Sequence, residues 1–212
     1  MTPAEEGYHA YRVGEPHGFA RNPLKAIIAP RPIAWVSTLS AGGVGNLAPY
    51  SFFNMINDAP PMVMFSSVGH KDSVRNIEET GEFTVSIVAA AQAAGMNVTS
   101  NPFPPEVDEF DAAGCARAPA IAVRPPGVAG SPAILECRCV EVKRLRGLDG
   151  NPLDTWMVIG EIVAVQIDRG CLADGLFRTE RAAPLTRAGY ADEYWLTEAT
   201  GLYRMPRNRA PG

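Results

Sequence analysis

The chain has 212 residues, a formal net charge of -4 and a pI near 5.4. A length of this order buries a sizeable core without disulfides or metals, and a 46% hydrophobic share excludes a globally disordered chain. The acidic balance, without clustered Lys and Arg, excludes a protein built around a nucleic-acid backbone, and no run of about eighteen apolar residues is present to cross a membrane as a helix.

Residues 1–22 read as an irregular polar arm. Their opening, "MTPAEEGYHAYRVGE", carries acids where a signal peptide needs bases and an apolar stretch, so a cytoplasmic protein is expected. Ile33–Leu39 reads as a strand, and "SAGGVG" as a turn whose glycines supply positive φ. A second strand over Asn46–Ile56 is interrupted at Pro49, which cannot donate to a ladder and so implies an edge, a bulge or a strand end. Pro60-Pro61 ends the next connection, and Met62–Val68 is a third strand.

In "HKDSVRNIEETGEF" the spacing predicts a short helix, with Asp72 or Ser73 as N-cap, Val74 and Ile77 facing inward, and Gly81 ending it. "EFTVSIV" alternates as a fourth strand. Ala89 to Gly114 reads as two short helices broken at Pro102 to Pro105, and two more strands cover about Ala133–Leu145 and Trp156–Asp168 across the turn "GLDGNP". From about residue 170 to 212 a Pro-, Gly- and Arg-punctuated tail is expected to wrap the outside. Six or more mostly antiparallel strands with few short helices predict a mainly β fold. Closure removes edge strands, so a closed antiparallel barrel forming one domain over 1–212 is expected.

The common phosphate and dinucleotide loops are missing, as is the G-x-S-x-G elbow. His9, His17 and His70 have no metal-ligand spacing. Cys137 and Cys139 form C-x-C on one strand face, which reads as structural cysteine rather than as a metal or redox site. No metal site and no side-chain acid–base pair stands out. What remains is an excess of hydroxyls on apolar strands, at Ser37, Thr38, Ser51, Ser66 and Ser67, beside one lysine and one helix start. A helix N-terminus holds anions through unpaired N–H groups and a partial positive charge, and Lys71 and Ser73 sit there. Taken alone, "HKDS" reads as a solvated helix cap rather than as a phosphate site, with Asp72 competing for those donors. Ser37 and Thr38 cannot both point inward, nor can Ser66 and Ser67, so half of these hydroxyls stitch strands. A hydroxyl patch beside Lys71 suits the tail and phosphate of a flavin mononucleotide, with Trp35, Tyr50 and Phe52 as core aromatics or as packing for a flat ring. The residues by themselves indicate an anion or cofactor site.

A series of motifs then occurs in order: "RPIAWVST", "NLAPYSFFN", "PPMVMFS", "KDSVRNI", "TGEFTVSIV", "MNVTS" with "PPEVDEFD", "LEC", "VIGEIVAV" and "PLTRAGYADEY". Together, over about residues 20 to 205, they resemble the flavin reductase-like, FMN-binding split-barrel family, in the branch of the nitrilotriacetate monooxygenase reductase component and the flavoredoxins. The resemblance implies a homodimer with FMN bound non-covalently near the dimer interface. Carried onto matching positions, it implies that Ser37, Thr38, Ala48, Ser51, Phe52 and Ser66 approach the flavin, while Lys71, Ser73 and Asn76 hold its phosphate and ribityl end. It also implies oxidoreductase activity with NAD(P)H as reductant and a monooxygenase or other electron acceptor as partner.

One departure concerns the reductant. Many members carry Gly-Asp-His just before the strand matching "VIGEIV", with the His near the nicotinamide. Here the stretch is "LDGNPLDTWMVIGEIV", with Asp154-Thr155 and no histidine. Three functions follow: an NAD(P)H-dependent flavin reductase, a flavoredoxin-like carrier or oxidoreductase that keeps its FMN and acts on its own small substrate, and a non-catalytic flavin- or haem-binding or pyridoxine-phosphate oxidase-like barrel. The tail aromatics Tyr190, Tyr194, Trp195 and Tyr203 pack a dimer or cover the flavin.

Overall fold

A computed structural model describes residues 7–197, 199–203 and 205. The ends of the expected arm and tail, residues 1–6 and 206–212, lie outside the described residues. The elements are, in chain order, α1 (Leu24–Ile27), β1 (Arg31–Pro32), β2 (Ala34–Leu39), β3 (Gly45–Tyr50), β4 (Phe53–Asn57), β5 (Met62–Val68), α2 (Asp72–Thr80), β6 (Glu82–Ile87), α3 (Ala93–Val98) and α4 (Glu109–Ala112). They continue with β7 (Arg117–Ala118), β8 (Gly127–Val128), β9 (Ala133–Arg146), β10 (Pro152–Ile167), β11 (Leu172–Ala173), β12 (Leu176–Phe177), α5 (Thr179–Ala182), β13 (Leu185–Arg187) and β14 (Tyr194–Leu196). The fold is mainly β with few helices, and none of the described helices is long and apolar enough to cross a membrane.

Seven strands form one antiparallel sheet in the order β3-β2-β6-β9-β10-β5-β4. The expected closed barrel is corrected: this sheet has two ends. They are β3 and β4, consecutive in the chain and joined only by Ser51-Phe52. The sheet curls until its ends meet at a chain corner, not along a hydrogen-bonded seam, because the strand that would supply the seam turns there from pairing β2 to pairing β5. The expected break at Pro49 falls two residues later. Pro49 stays inside β3, paired with Trp35. On the free side of β3 the N–H of Gly45 donates to Asp108 Oδ2 (3.2 Å) and that of Leu47 to Glu109 Oε2 (3.1 Å). Pro49, next in the alternation, has no N–H to offer. This edge is blocked against strand addition by two carboxylates and a proline.

Alternation along the strands divides the apolar residues into two clusters. Inside the curl lie Val36, Phe65, Phe83, Val85 and Val158, closed at one end by Val74 and Ile77 of α2. On the outer side Trp35, Leu47, Val88, Met96, Phe110 and Leu185 pack beneath α3, α4 and the returning tail. Several hydroxyls stitch the structure. The Thr84 hydroxyl donates to Pro126 O (2.9 Å), and Ser86 Oγ accepts from the Val128 N–H (2.9 Å). Cys137 and Cys139 are unpaired thiols on β9, the first fully buried. Near the end of the described chain, β13 pairs with both β1 and β14.

Candidate functional site

A groove follows the free edge of β3 in three stretches that share residues. The narrow stretch, about 400 Å³, lies between the start of α2 at Lys71 to Ser73 and the segment 99–103, over Asn46, Ala48 and Tyr50. The middle stretch, about 210 Å³, shares Pro49 and Ser100 with the narrow one and Ser51 and Arg187 with the broad one. The broad stretch, about 1110 Å³, opens past the β3–β4 corner between Phe52 and the arm and tail, at Lys25, Arg31 and Tyr190.

The narrow end is built by the start of α2. Lys71 is its N-cap in extended conformation (φ -84°, ψ 174°), and no side chain caps the helix. The expected caps are corrected here. Asp72 turns onto Arg75 one turn along, and Ser73 Oγ accepts from Asn46 Nδ2 (2.9 Å). Asp72 therefore does not compete for the first N–H groups, which are left for an anion in the groove. Gly81 ends the helix as expected, with φ 73° and its N–H on Ile77 O (2.8 Å).

Beneath this end runs a buried polar network. Thr38 Oγ1 accepts from Asn46 Nδ2 (3.1 Å) and from Asn76 Nδ2 (3.0 Å). Asn76 Oδ1 and the Tyr50 hydroxyl are buried without a hydrogen-bond partner, so the network still has bonds to make. Burial pushes the Tyr50 phenol up, against the opposing effect of the neighbouring Ser73 and Ser67 hydroxyls. Glu109 also faces this stretch. Burial raises its carboxyl above the ordinary range, opposed by its own N–H and that of Leu47, with Asp72 and Asp108 adding to the rise.

Of the residues expected from sequence, Ala48, Ser51, Phe52, Lys71 and Ser73 line the groove. Thr38 and Asn76 lie behind its wall, joined to it through Asn46. Ser37 alternates onto the Trp35 side of β2, fully buried with its hydroxyl unpartnered. Ser66 lies on the outward face of β5, and its N–H donates to Phe52 O (2.9 Å) at the corner. Among the three aromatics, Trp35 is spent in the core, where Nε1 donates to Thr99 Oγ1 (2.9 Å), and Tyr50 packs on Phe65 at 4.7 Å. Phe52 lines the broad stretch and is 40% exposed, with the Lys25 ammonium 5.8 Å from its centroid.

Sequence reasoning did not find Asn46, Glu109, Arg31 or Arg187 as groove residues. Asn46 begins the quoted "NLAPY" and its side chain was legible as polar; the other three reach the groove only because distant segments fold against β3.

Residues 28–186 match the family described as the flavin reductase like domain. A protein of Deinococcus radiodurans is 45% identical over 146 residues, which span 63% of this chain and 64% of that protein. Nitrilotriacetate monooxygenase component B from Bacillus cereus superposes with a TM-score of 0.79 at 28% identity, over 86% of this chain and 90% of that one. Flavoredoxin of Desulfovibrio vulgaris shares the fold, with a TM-score of 0.73 at 23% identity over 88% of this chain and 93% of its own. With a curled split sheet, a groove along its free edge and these relatives, the chain belongs to the flavin reductase-like family.

Proposed function

We propose that residues 1–212 act as one FMN-binding unit, a cytoplasmic homodimer that takes reducing equivalents from NAD(P)H and supplies reduced flavin to a separate acceptor such as a monooxygenase. The observation that carries this reading is the narrow end of the groove. An uncapped nine-residue helix begins there beside Lys71 and the Ser73 hydroxyl, over a network whose Asn76 Oδ1 lacks a partner. Those groups fit a phosphate and a polyhydroxyl chain, and the broad end beyond Phe52 has room for a flat ring system.

In this reading Lys71 and the first N–H groups of α2 hold the phosphate, Ser73 holds the ribityl end, and Asn76 supports that end from behind the groove wall. The ring reaches the corner at Ala48, Ser51 and Phe52. Bound FMN supplies hydride acceptance and onward electron delivery, chemistry that belongs to the cofactor. The chain positions it, excludes water through the covering tail and 99–103 segment, and needs no side-chain acid–base pair of its own.

The visible spectrum of the purified protein, followed by anaerobic addition of NADH and of NADPH, tests this. Yellow protein that bleaches with either reductant is the expected result. Protein that takes up FMN but does not bleach at millimolar reductant removes the reductase reading.

A second reading, a carrier or oxidoreductase that keeps its FMN, is favoured by one feature. The stretch lacking the family's histidine is an ordinary strand start, with Trp156 spent between His70 (5.0 Å) and Arg144 (5.0 Å). FMN retained through gel filtration, with electrons passed to a partner protein, distinguishes it.

A further inference from the structure

The broad end of the groove carries a positive charge that no carboxylate among the described residues neutralises. Arg31 is only 8% exposed, and its guanidinium is permanently charged. Nη1 donates to the carbonyls of Lys25 and Ile28 (2.6 Å to the latter), and Nη2 donates to Ala188 O (3.1 Å). Nε is buried with no acceptor. Arg187 is the cross-strand partner of Arg31 in the β1–β13 pair, so the two side chains leave the same face of that small sheet. Arg187 donates to Ala191 O and lies 4.5 Å from the Tyr194 ring centroid. Neither arginine has an ion-pair partner among the described residues, and Asp192 on the same wall is 4.0 Å from Arg21.

Like charges directly opposite on a strand pair destabilise it, and buried charges are ordinarily paired. Burial, and then the Arg187 charge, hold the Arg31 guanidinium below its ordinary value. Lys25 adds a further cation on this wall. A site of this kind is complete only with an anion supplied from outside the chain.

We propose that the broad end is a subsite for the anionic group of the reaction partner, a carboxylate or phosphate held between Arg31 and Arg187. The proposal rests on the FMN reading and extends it. Ser51 and Arg187 belong to both the middle and broad stretches, so a planar group anchored there reaches the corner at Ser51-Phe52. The substrate class is then a small planar acid, or a dinucleotide reductant that docks through its phosphates.

The test uses the full chain and two matched pairs of probes followed by calorimetry. Benzoate is compared with benzamide, and NADPH with reduced nicotinamide riboside, which has no phosphate. FMN affinity is measured separately by quenching of free-flavin fluorescence. At least one charged probe is expected to bind about tenfold or more tightly than its neutral match, the scale of a charge-assisted bidentate contact. Arg187→Gln should remove that preference while FMN affinity is retained, and Arg187→Lys should restore part of it. A benzoate response identifies a carboxylate and an NADPH response a phosphate.

Equal binding of charged and neutral probes overturns the proposal. So does Arg187→Gln weakening FMN as much as the charged probe, since the cation then serves the flavin. A change of oligomeric state in Arg187→Gln with charged-probe binding unaltered also overturns it, because a second copy then supplies the counter-charge. If the parent fails to take up FMN, the reading of the groove falls, and the benzoate–benzamide pair still decides the subsite by itself.

Discussion

Asn76 on α2 donates its side-chain amide to Thr38 Oγ1 on β2 at 3.0 Å, with both residues sealed from water at 2% and 0% exposure. This bond ties the helix that closes the curled sheet to the strand beside the groove, and it lies directly behind the proposed phosphate end. Asn76→Ala should cost about 1 kcal/mol, the scale of one net buried hydrogen bond, since Thr38 Oγ1 still accepts from Asn46. It should also weaken FMN uptake in protein that is still folded. Urea unfolding with and without FMN separates the two effects. An unchanged FMN affinity would place Asn76 in the scaffold alone.

Lys71→Ala and Ser73→Ala should each lower FMN affinity about tenfold, since a charged hydrogen bond or helix-start contact is lost. The Lys71 effect should shrink as salt is raised, because that side chain is exposed and screened. Equal FMN affinities for parent and double variant by fluorescence titration would put the anion elsewhere.

Glu109 gives the narrow end a pH dependence. Its carboxyl is raised, so it stays neutral above the ordinary value of 4.5 and becomes charged only as pH climbs further. FMN affinity should therefore fall as pH rises through that titration, when a carboxylate joins Asp72 beside the phosphate site. The folded state also holds this proton more tightly than the unfolded one, so Glu109 ionisation lowers stability over the same rise. Glu109→Gln should flatten that part of the affinity profile. A parallel fall in both proteins would assign the titration to another group.

Gly160 on β10 leaves room for Phe83, a fully buried ring: a Cβ at Gly160 would stand 2.6 Å from Phe83 Cε1. Gly160→Ala should cost about 1–3 kcal/mol through overpacking. The thermal midpoint should fall roughly 2–4 °C per kcal/mol for a chain of this size. A melting curve that superposes on the parent's would show that the ring has another place to go.

Glu136 is fully buried on β9 and accepts from the N–H groups of Ile121 (3.0 Å), Ala122 (2.6 Å) and Val123 (3.2 Å) and from Gln166 Nε2 (2.9 Å). Burial opposes its ionisation, but Gln166 and the three backbone donors together outweigh it and hold the carboxyl below its ordinary 4.5. Its contribution is thus present above that value and lost as pH falls through the lower, folded one. Glu136→Gln should cost about 3 kcal/mol at neutral pH, because one oxygen no longer accepts from the 121–123 donors. The gap between parent and variant should narrow on acidification. A gap independent of pH in denaturant titrations would mean the carboxylate charge contributes nothing.

Much of the sheet was legible because its signals are local. The alternation of "EFTVSIV" and the Gly81 stop reappear as β6 and the end of α2. The nine motifs in order led to the family because each preserves a turn, a strand face or a helix start in a fixed sequence. The N-cap was misplaced because Asp72 has a competing partner in Arg75, and a propensity for capping cannot weigh that ion pair. Closure was misjudged for a related reason. Strand count argues against free edges, but the carboxylates of Asp108 and Glu109 at the start of α4, together with Pro49, protect the edge of β3 without any closing strand.

By itself the sequence determined most strands of the large sheet, though not the corner that divides β3 from β4, along with the short helix and the lysine-and-hydroxyl start that points to an anion. Periodicity, turn chemistry and cap residues act within a few positions of one another. Only the tertiary structure decided which hydroxyls face the groove, that Arg31 stands beside Arg187, and that the sheet stays open at Ser51-Phe52. Those outcomes depend on register and on segments far apart in the chain. A one-residue shift in pairing reverses every side chain, and no local pattern records which neighbour a buried charge will meet.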